Sequence, residues 1–203
     1  GLLYLLSVAQ LIAFVGLIVA PSKWRATLWA SLGALAILTH YHALLISGLQ
    51  GLALLWRHRG RALALWPAGL AFVPAFGWLA IHAPRLAQYA RPDVAWYEPM
   101  RLDLAFGFVR YALGLGQSSG WDAGLALIVL VLLISLGARA RPARSEAAGA
   151  AWRTAALLSL LGLAMDMLLT SIKPMLTDRY LLPLVPGLLL GLVLLVQRNV
   201  RPV

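Results

Sequence analysis

The 203-residue chain has no cysteine, few charges and very few acids. Without a thiol it cannot build a disulfide framework, a thiolate nucleophile, an iron–sulfur cluster or a cysteine-ligated zinc site, and its redox compartment is left open. Charged residues make up 12% of the chain, about half the share of an ordinary soluble domain. Three further motifs are missing: a phosphate-cradling glycine-rich loop ending in Lys-Ser/Thr, a Gly-x-Ser-x-Gly elbow and a His-Glu-x-x-His helix. P-loop nucleotide hydrolysis and the corresponding hydrolase classes therefore receive no support. The sequence also enters an apolar run at Gly1, with neither an initiator Met nor the charged n-region of a signal peptide, so the expectation is a fragment whose upstream part is missing.

What is present is hydrophobic, 62% of all residues. Apolar runs near the length needed to cross a hydrocarbon core of roughly 30 Å recur along the chain, and the expected fold class is all-α, a polytopic transmembrane helix bundle. The first span, Gly1 to Ala20, stops at Pro21-Ser22-Lys23-Trp24-Arg25. The next apolar stretch, Ala26 to Trp56, would be about 46 Å long as one helix. It would also put two basic loops, Lys23/Arg25 and Arg57-His58-Arg59-Gly60-Arg61, on opposite sides of the bilayer. Breaking it at Thr39-His40-Tyr41-His42 into two short spans removes both problems. Ala62 to Ile81 follows, with a kink expected from Pro67 and Pro74.

Residues 82–121 change character. Pro84, Pro92 and Pro99, several charges and the pair Trp96-Tyr97 read as an outer loop at headgroup depth. Within it, Asp103 to Gly116 has the spacing of a helix lying in the interface. Ala123 to Ala138 returns to a basic loop holding Arg139, Arg141, Arg144 and Arg153; Thr154 to Ser171 goes out, and Leu181 to Val196 comes back. The expectation is one transmembrane domain of about seven spans with one interfacial helix.

This topology sorts the charges. The inner loops hold eleven of the 17 cations with one acid, Glu146, and the outer side holds six cations with five acids. The net charge of +10 is thus spread through short inner loops, as the positive-inside rule requires. It reads as orientation and contact with anionic membrane lipid, and no nucleic-acid partner is expected. Most polar residues capable of chemistry fall on the outer side.

Three groups stand out. His40, Tyr41 and His42 occupy the expected outer turn, where they either contact a ligand or anchor the turn at the interface. The two imidazoles are two residues apart, a spacing that does not share a helical face for a metal. Asp166 sits in an apolar span, where a carboxylate costs roughly 2.5–3.5 kcal/mol on insertion scales. With Ser159, Gly162, Thr170 and Lys173 it forms one polar stripe expected to face the bundle interior, as an internal pair or as part of a site. Lys173, Arg179 and Tyr180 precede the last span, where cations beside a helix N-terminus suit an anion or mark the interface. Gly187 and Gly191 are spaced for close helix packing.

Leu38-Thr39-His40-Tyr41-His42-Ala43-Leu44-Leu45, Trp96-Tyr97-Glu98-Pro99, and Lys173-Pro174 with Asp178-Arg179-Tyr180-Leu181-Leu182-Pro183-Leu184-Val185-Pro186 together resemble bacterial GT-C glycosyltransferases. The likeness is to protein O-mannosyltransferases (glycosyltransferase family 39) and aminoarabinose transferases, and it covers most of the chain from partway into the membrane module. It implies transfer of a sugar from a polyprenyl-phosphate donor to an acceptor lipid, glycan or protein at the outer, periplasmic face of a bacterial inner membrane. It also implies donor-phosphate contacts from Lys173, Arg179 and Tyr180, and a substrate cavity near His40, Tyr41, His42, Trp96, Tyr97, Glu98 and Asp166. The acidic catalytic residue of such enzymes is expected upstream of Gly1, and divalent-metal use is left open. A lipid or small-anion transporter and a protein like the O-antigen ligases and polymerases are the alternatives.

Overall fold

The computed structural model describes residues 1–89, 146–172 and 178–199, and all regular structure among them is helical. In chain order come α1 (Leu2–Val19), α2 (Lys23–Thr39), α3 (Ala43–His58), the single turn α4 (Gly60–Leu63) and a 3-10 helix, Trp66–Phe72. Then follow α5 (Val73–Tyr89), α6 (Glu146–Ile172), a second 3-10 helix, Asp178–Leu181, and α7 (Val185–Asn199). Three of these segments are long and apolar enough to cross a membrane: Leu2–Val19, Trp66–Gln88 and Glu146–Thr170.

The over-long apolar stretch divides where length and charge require. α2 ends at Thr39 and α3 starts at Ala43, giving arms of 17 and 16 residues, about 25 Å each. The boundary before them is set by capping. The Ser22 hydroxyl accepts from the Arg25 backbone N–H at 3.3 Å, while the Arg25 guanidinium donates to the carbonyls of Ala20 (2.8 Å) and Gly16 (3.2 Å) at the C-terminus of α1.

α1 packs most extensively on α2 and also touches α3, α6 and α7, so an apolar helix stands at the centre of the bundle. Two polar contacts tie α3 to α1 and α2 within the bundle. Gln10 of α1 donates to Ser47 of α3 at 2.8 Å, and the Trp29 indole of α2 donates to Gln50 of α3 at 2.7 Å.

The packing also defines two ends. His58, at the close of α3, lies 3.1 Å from the Ile18 carbonyl at the close of α1, which brings the Lys23/Arg25 and Arg57–Arg61 segments to one end. Ala151 and Ala155 of α6 share a core cluster with Leu17 and Ile18, so α6 starts at that end. At the opposite end the hairpin turn 39–42 meets the C-terminal half of α6 and the 3-10 helix Asp178–Leu181. The two basic loops therefore share an end, as the charge pattern requires.

Several boundaries differ from the sequence expectation. The span expected at Ala62 to Ile81 is shifted to Trp66–Gln88, with Pro67 in the first turn of the 3-10 helix and Pro74 in the first turn of α5, each at a helix start where a missing N–H costs no hydrogen bond. α5 then continues with Pro84 inside it to Tyr89, past His82, where the outer loop was expected to begin. α6 starts at Glu146 rather than Thr154, so Arg153 is helical and not in a loop. An acid in the first turn, interacting favourably with the helix dipole, fits that earlier start. The last helix starts at Val185 rather than Leu181, because Pro183 and Pro186 restrict where a regular helix can begin. The expected interfacial helix at Asp103–Gly116 and span at Ala123–Ala138 lie outside the described residues, as does the expected loop from residue 90 onward.

Candidate functional site

The turn between α2 and α3 is held by its own backbone. His40 leaves the helix in extended conformation (φ −159°, ψ 120°) while its N–H still donates to the Ala36 carbonyl at 2.8 Å. The carbonyls of His40 and Tyr41 accept from Ala43 and Leu44, both at 3.0 Å, and start α3. The His40 Nδ1 accepts from the His42 backbone N–H at 3.4 Å. Three consecutive ring side chains are thereby fixed at the tip of the hairpin.

Asp166 of α6 and Tyr180 of the second 3-10 helix complete the cluster. Nδ1 of His42 lies 3.3 Å from Oδ1 of Asp166, with side chains only 10% and 3% exposed. The Tyr180 ring stacks on the His42 imidazole, centroids 4.1 Å apart and planes 23° apart, and lies 4.6 Å from the His40 ring. The Tyr41 and Tyr180 hydroxyls are 3.3 Å apart, and the Tyr41 and His40 rings stack at 5.0 Å. Ser159 and Thr170, on the same stripe of α6 as Asp166, are buried too. That stripe therefore faces the bundle interior, as its spacing predicts.

The chemistry follows from the two ring nitrogens of His42. With Nδ1 turned to a carboxylate, the neutral imidazole carries its proton there and leaves the Nε2 lone pair available. Nε2 is buried and has no hydrogen-bond partner among the described residues. Such an imidazole can accept a proton, or donate a hydrogen bond once charged. Among the described residues no group of three or more His, Asp or Glu is arranged to hold a metal ion.

Five of the residues singled out in the sequence, His40, Tyr41, His42, Asp166 and Tyr180, thus form one cluster. Arg179 belongs to the 3-10 helix that carries Tyr180, but its side chain lies outside the described residues. Lys173, Trp96, Tyr97 and Glu98 also lie outside them. Sequence reasoning passed over Gln10 and Gln50, each almost fully buried. The available signal was an amide side chain inside an apolar span, where it has to find an internal partner. No protein-family model, curated protein or solved structure matches the chain.

Proposed function

We propose that the chain is part of a membrane-embedded glycosyltransferase that moves a sugar from a polyprenyl-phosphate donor to an acceptor at the outer face of a bacterial inner membrane. In this reading about seven spans form the bundle, the hairpin turn 39–42 faces the periplasm and the arginine-rich end faces the cytoplasm. The observation that carries it is the stacking of Tyr180 on His42, because the two sequence elements most responsible for the resemblance meet there.

The chemistry suits the cluster. As the acceptor oxygen bonds to the anomeric carbon, the bond from that carbon to the phosphate oxygen breaks, leaving the electron pair and negative charge on the lipid phosphate. Fixed cations near that oxygen stabilise the charge more in the transition state than in the ground state; Lys173 and Arg179 are assigned this role, with Tyr180 beside them. The acceptor hydroxyl must give up its proton to a positioned base. The principal acidic base is assigned to sequence upstream of Gly1, while His40, Tyr41, His42 and Asp166, with Trp96, Tyr97 and Glu98, line the substrate cavity.

The test is transfer of labelled sugar from a polyprenyl-phosphate donor by the full-length protein in proteoliposomes. Arg179→Ala and Lys173→Ala are expected to lower turnover by about 100-fold or more, on the scale of losing one transition-state charge contact. Unchanged transfer would remove the phosphate assignment. A transporter reading draws on the buried His42–Asp166 pair, since intramembrane ionisable pairs also serve as proton relays. Counterflow of a lipid-linked substrate with no covalent transfer would favour it.

A further inference from the structure

At the end of the bundle opposite His42, an apolar cleft of about 260 Å³ opens between the ends of α1 and α3, the start of α2 and the first 3-10 helix. Pro21, Trp29, Leu54, His58, Trp66 and Gly69 are among its walls. It exists because α3 stops abruptly. Arg59 takes φ 46° and ψ −122°, a left-handed conformation that folds the chain back through α4 and leaves the 3-10 helix as the far wall. Trp29 is fixed there by its bond to Gln50 and by edge-on contact with Phe72 at 5.7 Å.

Basic residues adjoin the cleft-lining ones in sequence. Lys23, Arg57, Arg59 and Arg61 are exposed, and Arg57, Arg59 and Arg61 alternate in sequence with His58 and the cleft-lining Ala62. None of the four makes an ion pair among the described residues. Trp24, Trp56 and Trp66 at the same end are 72%, 87% and 66% exposed, placing three indoles where the membrane–water boundary falls if α1–α3 span.

We propose that this cleft is a specific site for one anionic phospholipid, with an acyl chain between the 3-10 helix and α1–α3 and the headgroup phosphate held by the arginines around the α3–α4 turn. Charge complementarity selects the occupant. A second protein helix seated here would bury unpaired arginines or need acids of its own, whereas a lipid phosphate stays at the aqueous boundary while its chain fills the apolar cleft. The site rests on the membrane reading and is independent of glycosyl transfer. General attraction to an anionic surface would coat all the basic loops equally, but a cleft with Gly69 in its wall gives one lipid a place of its own.

Gly69 allows a direct test, since a Cβ there meets nothing within 4 Å and a larger side chain projects into open space. The full-length protein is placed in nanodiscs of mixed phosphatidylglycerol and phosphatidylcholine, released, and weighed by native mass spectrometry. One retained phosphatidylglycerol is expected. Gly69→Leu should abolish retention of both lipids, and Gly48→Leu, equally open but outside the cleft, should not. Arg57→Gln with Arg61→Gln should lower the preference for phosphatidylglycerol by about fivefold per arginine while the cleft still accepts phosphatidylcholine. Retention unchanged in Gly69→Leu, a preference insensitive to the arginines, or a protein dimer that Gly69→Leu dissolves would each overturn the assignment, the last by showing a second copy in the cleft.

Discussion

Nδ1 of His42 lies 3.3 Å from Oδ1 of Asp166, joining the hairpin tip to the C-terminal half of α6 in a buried polar contact. Removing one partner leaves the other buried and uncompensated, whereas removing both leaves an apolar interface. His42→Phe should therefore destabilise the protein by about 3 kcal/mol, and adding Asp166→Leu should recover much of that loss. Unfolding in mixed micelles measures both. A double variant no more stable than the His42 single would mean that the two groups are energetically independent.

At Gly187 α7 packs tightly against α6. A Cβ there would overlap the Ser159 hydroxyl and lie 2.7 Å from the Ser159 Cβ and 3.3 Å from the Ala155 carbonyl. Gly187→Ala is expected to cost about 1–3 kcal/mol by overpacking. Ser159→Ala, which removes the overlapping hydroxyl, should restore part of the loss, and Ser159→Gly, which also removes the Cβ, should relieve more of the clash. Thermal unfolding of the four proteins separates these outcomes.

The Gln10–Ser47 bond joins two apolar helices through side chains that are almost completely buried. Ser47→Ala strands the amide and should lower stability by about 0.6 kcal/mol or more, the scale of interhelical hydrogen bonds in membranes. Combining it with Gln10→Leu should be closer to neutral. A Ser47→Ala protein with unaltered unfolding free energy would argue that Gln10 has an alternative partner.

Arg59 is the one non-glycine residue at positive φ among the described residues. Glycine reaches that conformation without steric cost, so Arg59→Gly should raise stability by about 1 kcal/mol. A lower melting temperature would show that the Arg59 side chain contributes more than the backbone strain removes.

The cysteine-free chain can be labelled one site at a time without a background. In intact cells, Thr39→Cys should react with a membrane-impermeant maleimide, whereas Arg57→Cys should react only after the membrane is permeabilised, both positions being exposed. Lys23→Cys should match Arg57→Cys. Labelling of Thr39→Cys and Arg57→Cys from the same side would refute the α2–α3 hairpin as a pair of spans.

Hydropathy and length by themselves determined that this chain is helical with membrane-length apolar segments. Segment length and the two basic loops together located the break at 39–42, because a helix rises a fixed distance per residue and a bilayer has a fixed thickness. The spacing of Ser159, Asp166 and Thr170 told which face of α6 turns inward, since helical periodicity is a local property. The same local rules misplaced the start of α6 at Thr154, where the arginines resembled a loop, and treated Pro67 and Pro74 as kinks although a proline that opens a helix carries the same local signal. Only the tertiary structure decided what Asp166 faces. An inward-pointing carboxylate is compatible with many partners, and packing α6 against the hairpin brought His42 to it and set Tyr180 on the imidazole from a third segment distant in sequence. The apolar cleft was equally illegible, because its walls come from five helical elements and its opening depends on the turn at Arg59.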